Sequence, residues 1–167
     1  MEKKFIIGID PGFAGGIAII DSRGNIIEVV LMPTLKLKSK TGTKSEYDLR
    51  KIAGLFEKYP PKMVGLEIQQ AFPGQGAVSM FKIGRGFGLL EGILVGLKAP
   101  YTLIKPRSWQ AKMFEGQPPD DSKSLSKMVA QRIWPEQDFK KSPRCNDAHD
   151  GLTDAALIAK YVERELI

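Results

Sequence analysis

The chain predicts an α/β domain in which three antiparallel strands come first and further strands then alternate with helices. Three observations carry that expectation. Short β-rich runs at 5–10, 16–21 and 26–32 are separated by the turn signals Pro11-Gly12 and Ser22-Arg23-Gly24-Asn25, which reads as a meander. Two later apolar runs, 63–68 and 100–104, each follow a stretch of helical periodicity. Carboxylates stand at the ends of segments far apart in sequence, and a single sheet could gather them at one end.

Taken in order, Phe5-Ile6-Ile7-Gly8-Ile9 is closed by Asp10, and Pro11-Gly12 with Gly15-Gly16 turns the chain back. Pro33 ends the meander. The segment 34–44 carries Lys36, Lys38, Lys40 and Lys44 with no acid and is expected to be an exposed basic loop. Ser45 followed by Asp48 resembles a capping box, and Leu49, Ile52, Ala53, Leu55 and Phe56 recur at helical spacing until Pro60-Pro61. The fourth strand, 63–68, carries Glu67, and 71–76 is a Pro/Gly loop. A helix over 78–97 is interrupted by Gly84, Gly86, Gly88, Gly92 and Gly96. Each glycine lowers helix stability by ~1 kcal/mol, so the run predicts close packing by another backbone. The fifth strand is 100–104, a helix over 106–114 opens on Pro106, and Asp120 and Asp121 can cap a helix over 122–134. A mixed-charge loop at 136–146 leads to the last helix, 150–166.

With 167 residues the chain suits one domain with a sizeable core. The balance of 25 Lys+Arg against 19 Asp+Glu, net +6, suits a polyanionic partner, although charge alone does not separate nucleic acid from an anionic membrane surface. No run approaches the roughly 18 apolar residues of a membrane span, and Met1-Glu2-Lys3-Lys4 leads straight into a strand. The expectation is a soluble, cytoplasmic protein with no membrane partner. Cys145 is alone and His149 is the only histidine, so a zinc set of Cys and His is excluded and any metal would have oxygen ligands.

A carboxylate buried at a strand end opposes folding unless a cation, a base or a catalytic role accounts for it. Asp10 and Glu67 are such groups. Asp150 and Asp154 lie one helical turn apart and share a face, where like charges repel by ~0.2 to 0.5 kcal/mol even when exposed. Four carboxylates can converge on hard cations, and two Mg²⁺ ions roughly 3.5 to 4 Å apart suit in-line displacement at a phosphodiester. Each acid also has a plainer reading: Asp10 as a turn residue before Pro-Gly, Asp150 as a helix cap, with Asp147 competing for both of its roles. The conjunction favours the metal site.

Ile7-Gly8-Ile9-Asp10-Pro11-Gly12 with Gly15-Gly16, Leu66-Glu67, and His149-Asp150-Gly151-Leu152-Thr153-Asp154-Ala155-Ala156 together resemble the RuvC-type Holliday junction resolvases of the RNase H-like superfamily. The resemblance extends over Phe72-Pro73-Gly74-Gln75-Gly76, Gly84-Arg85-Gly86 and Pro106-Arg107-Ser108-Trp109, and it looks closest to short phage-type members. It implies a single RNase H-like nuclease domain over 1–167, built on a mixed five-stranded sheet of an antiparallel meander and two parallel strands flanked by helices. It also implies a homodimer through the glycine-rich helix, and Mg²⁺- or Mn²⁺-dependent nicking of a four-way DNA junction in a bacterial or phage-infected cell.

The family's first Asp maps onto Asp10, its Glu onto Glu67 and its last Asp onto Asp154. The remaining acid lies three residues before the last Asp in bacterial relatives, where this chain has Gly151. Asp150 is preferred, with Asp147 in reserve. An aromatic shortly after the Glu enters the junction centre in related enzymes; Phe72 is the candidate, Phe81 a rival, and a core or loop role the alternative. The expected phosphate-contacting residues are Lys36, Lys38, Lys40, Arg85, Lys105, Arg107 and Lys112, with Lys98 nearby, while Trp109 is expected in the core.

Fold and metal site do not fix the substrate, so a nuclease of RNA:DNA hybrids, flaps or RNA is the main alternative. An actin-like ATPase needs two such domains facing each other, so no nucleotide cofactor is expected. A non-catalytic DNA-binding module would keep buried carboxylates at a desolvation cost with no use for them.

Overall fold

The computed structural model describes residues 4–40, 42–70 and 74–167. Strands β1 (Phe5–Asp10), β2 (Gly16–Ile20) and β3 (Ile26–Leu31) pair antiparallel in sequence, with Ile9 opposite Ile17 and Ala18 opposite Val29. Gly24 takes φ +80° in the second turn, a region glycine enters without steric cost. There the Asp21 carboxylate accepts the backbone N–H groups of Arg23 and Asn25 at 2.8 and 2.9 Å.

On the other side of β1, β6 (Pro61–Glu67) runs parallel to it and β7 (Tyr101–Ile104) runs parallel to β6. The strand order is β3-β2-β1-β6-β7, which is the mixed five-stranded sheet expected.

Alternation along the strands builds a core on each face. Ile7, Ile9, Ile17, Val64 and Leu66 pack with Ile52 and Phe56 of α1 (Leu49–Lys58) and with Leu90 and Leu94 of α2 (Ala77–Gly96). On the opposite face, Ile6, Ala18, Ile20 and Ile104 meet α3 (Pro106–Met113), α4 (Ser122–Ile133) and α5 (Asp150–Glu165) through Trp109, Val129, Ala155 and Ile158. Trp109 is fully buried, as expected of a core residue.

Helix α5 lies against the sheet backbone to backbone. A Cβ at Gly8 would run into the main chain of Ala155 and Ala159, and one at Gly151 into the main chain of Ala14 and Gly15. These glycines set the distance between helix and strands.

Two expectations are corrected. The basic segment at 34–44 is no loop but most of a hairpin, β4 (Thr34–Ser39) paired antiparallel with β5 (Gly42–Tyr47). Its Leu-Lys alternation is a period-two signal, and it escapes notice because Leu35 and Leu37 remain 45% and 47% exposed instead of marking a buried face. Ser45 is therefore in a strand, and Asp48 caps α1, accepting the N–H of Lys51 at 3.0 Å. In α2 only Gly86 meets a close neighbour, the Tyr47 ring of β5, whereas Gly84, Gly88, Gly92 and Gly96 face open space among the described residues. Phe72 lies outside the described residues.

Candidate active site

Parallel pairing of β1 and β6 sets Ile9 opposite Leu66, so Asp10 and Glu67 leave neighbouring strands at the same level. Gly151 rests on the turn just after Asp10, and the first turn of α5 therefore delivers Asp150 and Asp154 to the same end of the sheet. Asp10, Asp150 and Asp154 line one cavity of about 610 Å³ with Phe13, Lys127 and His149. Glu67 borders an adjoining recess with Gln69, Gln70 and Pro106. Gln69 ties the two strand ends together by donating its side-chain N–H to the Pro11 carbonyl at 3.0 Å.

The electrostatics record how close these acids are. Burial first, then the charges of Asp154, Glu67 and Asp150, push Asp10 from 3.8 up to about 8. Burial raises Glu67 to about 7, with a hydrogen bond from Trp109 opposing and the Asp154 charge adding to the rise. Burial also raises Asp154 to about 6, against a hydrogen bond from Ser126. Asp150 behaves oppositely. Burial raises it, but Lys127 and Lys123, at 3.0 and 3.2 Å, outweigh burial and hold it below the usual range.

Among the described residues no three acidic, His or Cys side chains already stand as a closed ligand set for a metal ion. The donor chemistry nevertheless fits a hard divalent cation. Asp154 Oδ1 is buried without a hydrogen-bond partner, and Asp10 beside it is held far from its ordinary ionisation by burial and neighbouring acids. Asp10, Glu67 and Asp154 are the residues that could hold such an ion, and Asp150 is at hand once its lysines release it.

Asp147 is exposed in the preceding loop and does not line the cavity. Gly151 explains why the fourth acid cannot stand three residues before Asp154: any side chain there collides with the β1–β2 turn. Of the predicted basic residues, Lys36, Lys38 and Lys40 are exposed on the β4–β5 hairpin, and Lys36 donates to Ser45 Oγ at 2.9 Å. Lys105, Arg107 and Lys112 are exposed on or next to α3. Arg85 is held by Glu46 at 2.5 Å.

Sequence reasoning missed four partners of the acids. Trp109 donates its indole N–H to Glu67 Oε2 at 2.5 Å, and α4 supplies Lys123, Ser126 and Lys127. The available signal was Lys123 and Lys127 at i,i+4, sharing a face of an amphipathic helix with no acid between them.

No family model matches the sequence, and no curated protein matches it significantly. Solved structures do. The RuvC protein of Thermus thermophilus in complex with a Holliday junction substrate superposes with TM-score 0.58 at 15% identity, over 93% of this chain and 90% of that one. This chain has the RNase H-like fold of the resolvases. The yeast mitochondrial Holliday junction resolvase Ydc2 gives TM-score 0.56 at 19% identity over 97% and 78%. Fowlpox virus resolvase, in complex with its substrate Holliday junction DNA, gives 0.50 at 18% over 98% and 99%. Bacterial, mitochondrial and viral resolvases thus share this RNase H-like architecture, while a closer kinship to phage-type members rests on the sequence resemblance alone.

Proposed function

We propose that the protein is a structure-selective endodeoxyribonuclease that resolves four-way DNA junctions by divalent-metal-dependent phosphodiester hydrolysis, using Mg²⁺ or Mn²⁺ and two ions per site. The observation that carries this reading is the convergence of Asp10, Glu67 and Asp154, each raised by burial, in the fold of three junction resolvases. Buried acids so close together are costly alone and suit a site completed by cations.

Asp10, Glu67 and Asp154 would hold the metal, which when bound supplies charge stabilisation at the reacting phosphate and lowers the pKa of water. Trp109 fixes the carboxylate of Glu67 through its N–H. Lys123 and Lys127 hold Asp150, and as cations at the cavity wall they can turn to an incoming phosphate. Exposed lysines on the β4–β5 hairpin and α3 extend the basic surface along which DNA arms would lie.

A homodimer would bring two such sites to opposed strands, matching the two-fold symmetry of the substrate. Helix α2 supports it: Val78, Phe81 and Val95 are 70%, 70% and 61% exposed, and large apolar side chains left uncovered on one helix suit a partner surface. The test is incubation with a labelled four-way junction, a matched linear duplex and an RNA:DNA hybrid, each with and without Mg²⁺. Paired nicks in the junction alone are expected; faster cleavage of the hybrid would reassign the substrate.

A further inference from the structure

Asp10 and Glu67 leave the sheet on either side of one seam. Asp10 is registered against β2, where it pairs with Gly16, and Glu67 against β7, where it pairs with Ile104 and the next residue, Ile68, donates its N–H to the Ile104 carbonyl at 2.8 Å. Between β1 and β6 themselves the paired register ends one step earlier, at Ile9 and Leu66. The two acids therefore stand just past the last rung of the ladder that joins their own strands.

Gln69 crosses the seam at that level. It lies beyond the end of β6, half-buried, and its side-chain N–H reaches back 58 residues to the Pro11 carbonyl, the first after Asp10, at 3.0 Å. Gly12 leaves room for it: a Cβ there would stand 3.3 Å from Gln69 Nε2, and the glycine takes φ +111°, which a side chain would strain. The same turn is met by α5, through Gly151 against Ala14 and Gly15. That grip sets helix against strand, whereas the grip of Gln69 sets strand end against strand end.

The acids load the seam from within. Carboxylates on neighbouring strand ends repel when both are charged, and the Glu67 charge is one of those that raise Asp10. A cation shared between them tolerates little widening, because metal–oxygen distances are held to within about 0.2 Å.

Resting on the proposed metal-dependent reading of this site, we infer that Gln69 is a positioning residue: by stapling the β1–β2 turn to the end of β6, it holds Asp10 and Glu67 at the separation a shared divalent cation requires.

The test is Mn²⁺ binding to the DNA-free protein, read from the electron paramagnetic resonance signal of the free ion. Gln69→Leu keeps the volume without the donor, and Gln69→Asn keeps the amide but falls one methylene short. Both should bind Mn²⁺ about 10-fold more weakly, the lower end of the usual cost of losing a group that orients a ligand. Melting curves in EDTA identify which variant keeps the fold, and the more stable of the two is carried forward.

A second pair of backgrounds separates positioning from support. With Glu67→Gln the loss caused by the Gln69 substitution should largely vanish, since there is no second charge to place, and with Asp154→Asn it should persist. Equal losses in both backgrounds would mean a general loosening of the fold and overturn the inference, as would parent-like affinity in both Gln69 variants. Because no DNA is present, the outcome is independent of the substrate. The expected Gln69–Glu67 coupling in a protein that nicks no junction would overturn only the nuclease reading; junction nicking by a protein whose Mn²⁺ affinity ignores Gln69 would overturn only this inference.

Discussion

Trp109 donates its indole N–H to Glu67 Oε2 at 2.5 Å from a ring with no solvent exposure. A core residue and a site residue are thereby one unit: the packing that buries the ring also sets the direction of the carboxylate.

Trp109→Phe keeps an aromatic ring in the core but removes the donor. Nicking and apparent affinity for Mg²⁺ are both expected to fall about 10- to 100-fold, the usual cost of losing a group that orients a ligand. Titrating Mg²⁺ against junction cleavage reads this directly. Unchanged half-saturation would mean that Glu67 needs no orienting partner.

Asp10→Asn, Glu67→Gln and Asp154→Asn should each abolish cleavage while junction binding survives, because each removes a ligand charge and leaves the basic surface intact. Metal-free variants should also melt higher than the parent at pH 8, since a neutral amide removes the cost of burying a charge and the repulsion that together raise Asp10. For the fourth acid, Asp150→Asn should cost far more activity than Asp147→Asn, in keeping with its place in the cavity. Near-normal cleavage by any of the first three would remove that residue from the site.

Without divalent ions, stability should fall as pH rises. Asp10, with a folded value of about 8 against 3.8, keeps its proton in the folded state where the unfolded chain has released it, so its contribution is complete below 3.8 and lost as pH passes 8. Glu67 and Asp154, raised to about 7 and about 6, act in the same direction over narrower windows. Melting temperature in EDTA should therefore decline between pH 5 and 8, and Mg²⁺ at pH 8 should recover it. A flat profile in EDTA would show that the acids are not mutually buried.

Junction affinity should fall steeply with salt. Replacing Lys36, Lys38 and Lys40 together should reduce the slope of log K against log salt by about 1 for each lysine that contacts a phosphate. An unchanged slope would place the DNA away from the β4–β5 hairpin.

The sheet and its two strand-end acids, Asp10 and Glu67, were legible because burial and register are written locally: packing alone gives an apolar run no reason to close on a carboxylate. The hairpin was not, because its alternation pairs leucine with lysine and buries neither, so charge masked the period. The Ser45 cap failed through competition, since Asp48 offers the same oxygen one residue before the helix. Trp109 and Glu67 are 42 residues apart, and nothing local marks a contact that exists only after α3 folds against the sheet. Lys123 and Lys127 were visible as a pair, yet their anion lies on another helix.

The seat of α5 on β1 acts as a caliper whose jaws are main chain. Side chains can trade volume with their neighbours over generations, but a peptide plane pressed against a peptide plane has no rotamer to surrender, so the span between an acid on the strand and an acid on the helix stays constant while the surroundings drift. Such a device tolerates wholesale rewriting of the residues around it. Its vulnerability is correspondingly narrow. One methyl group at Gly8 would do what dozens of substitutions elsewhere need not, and pry the jaws apart.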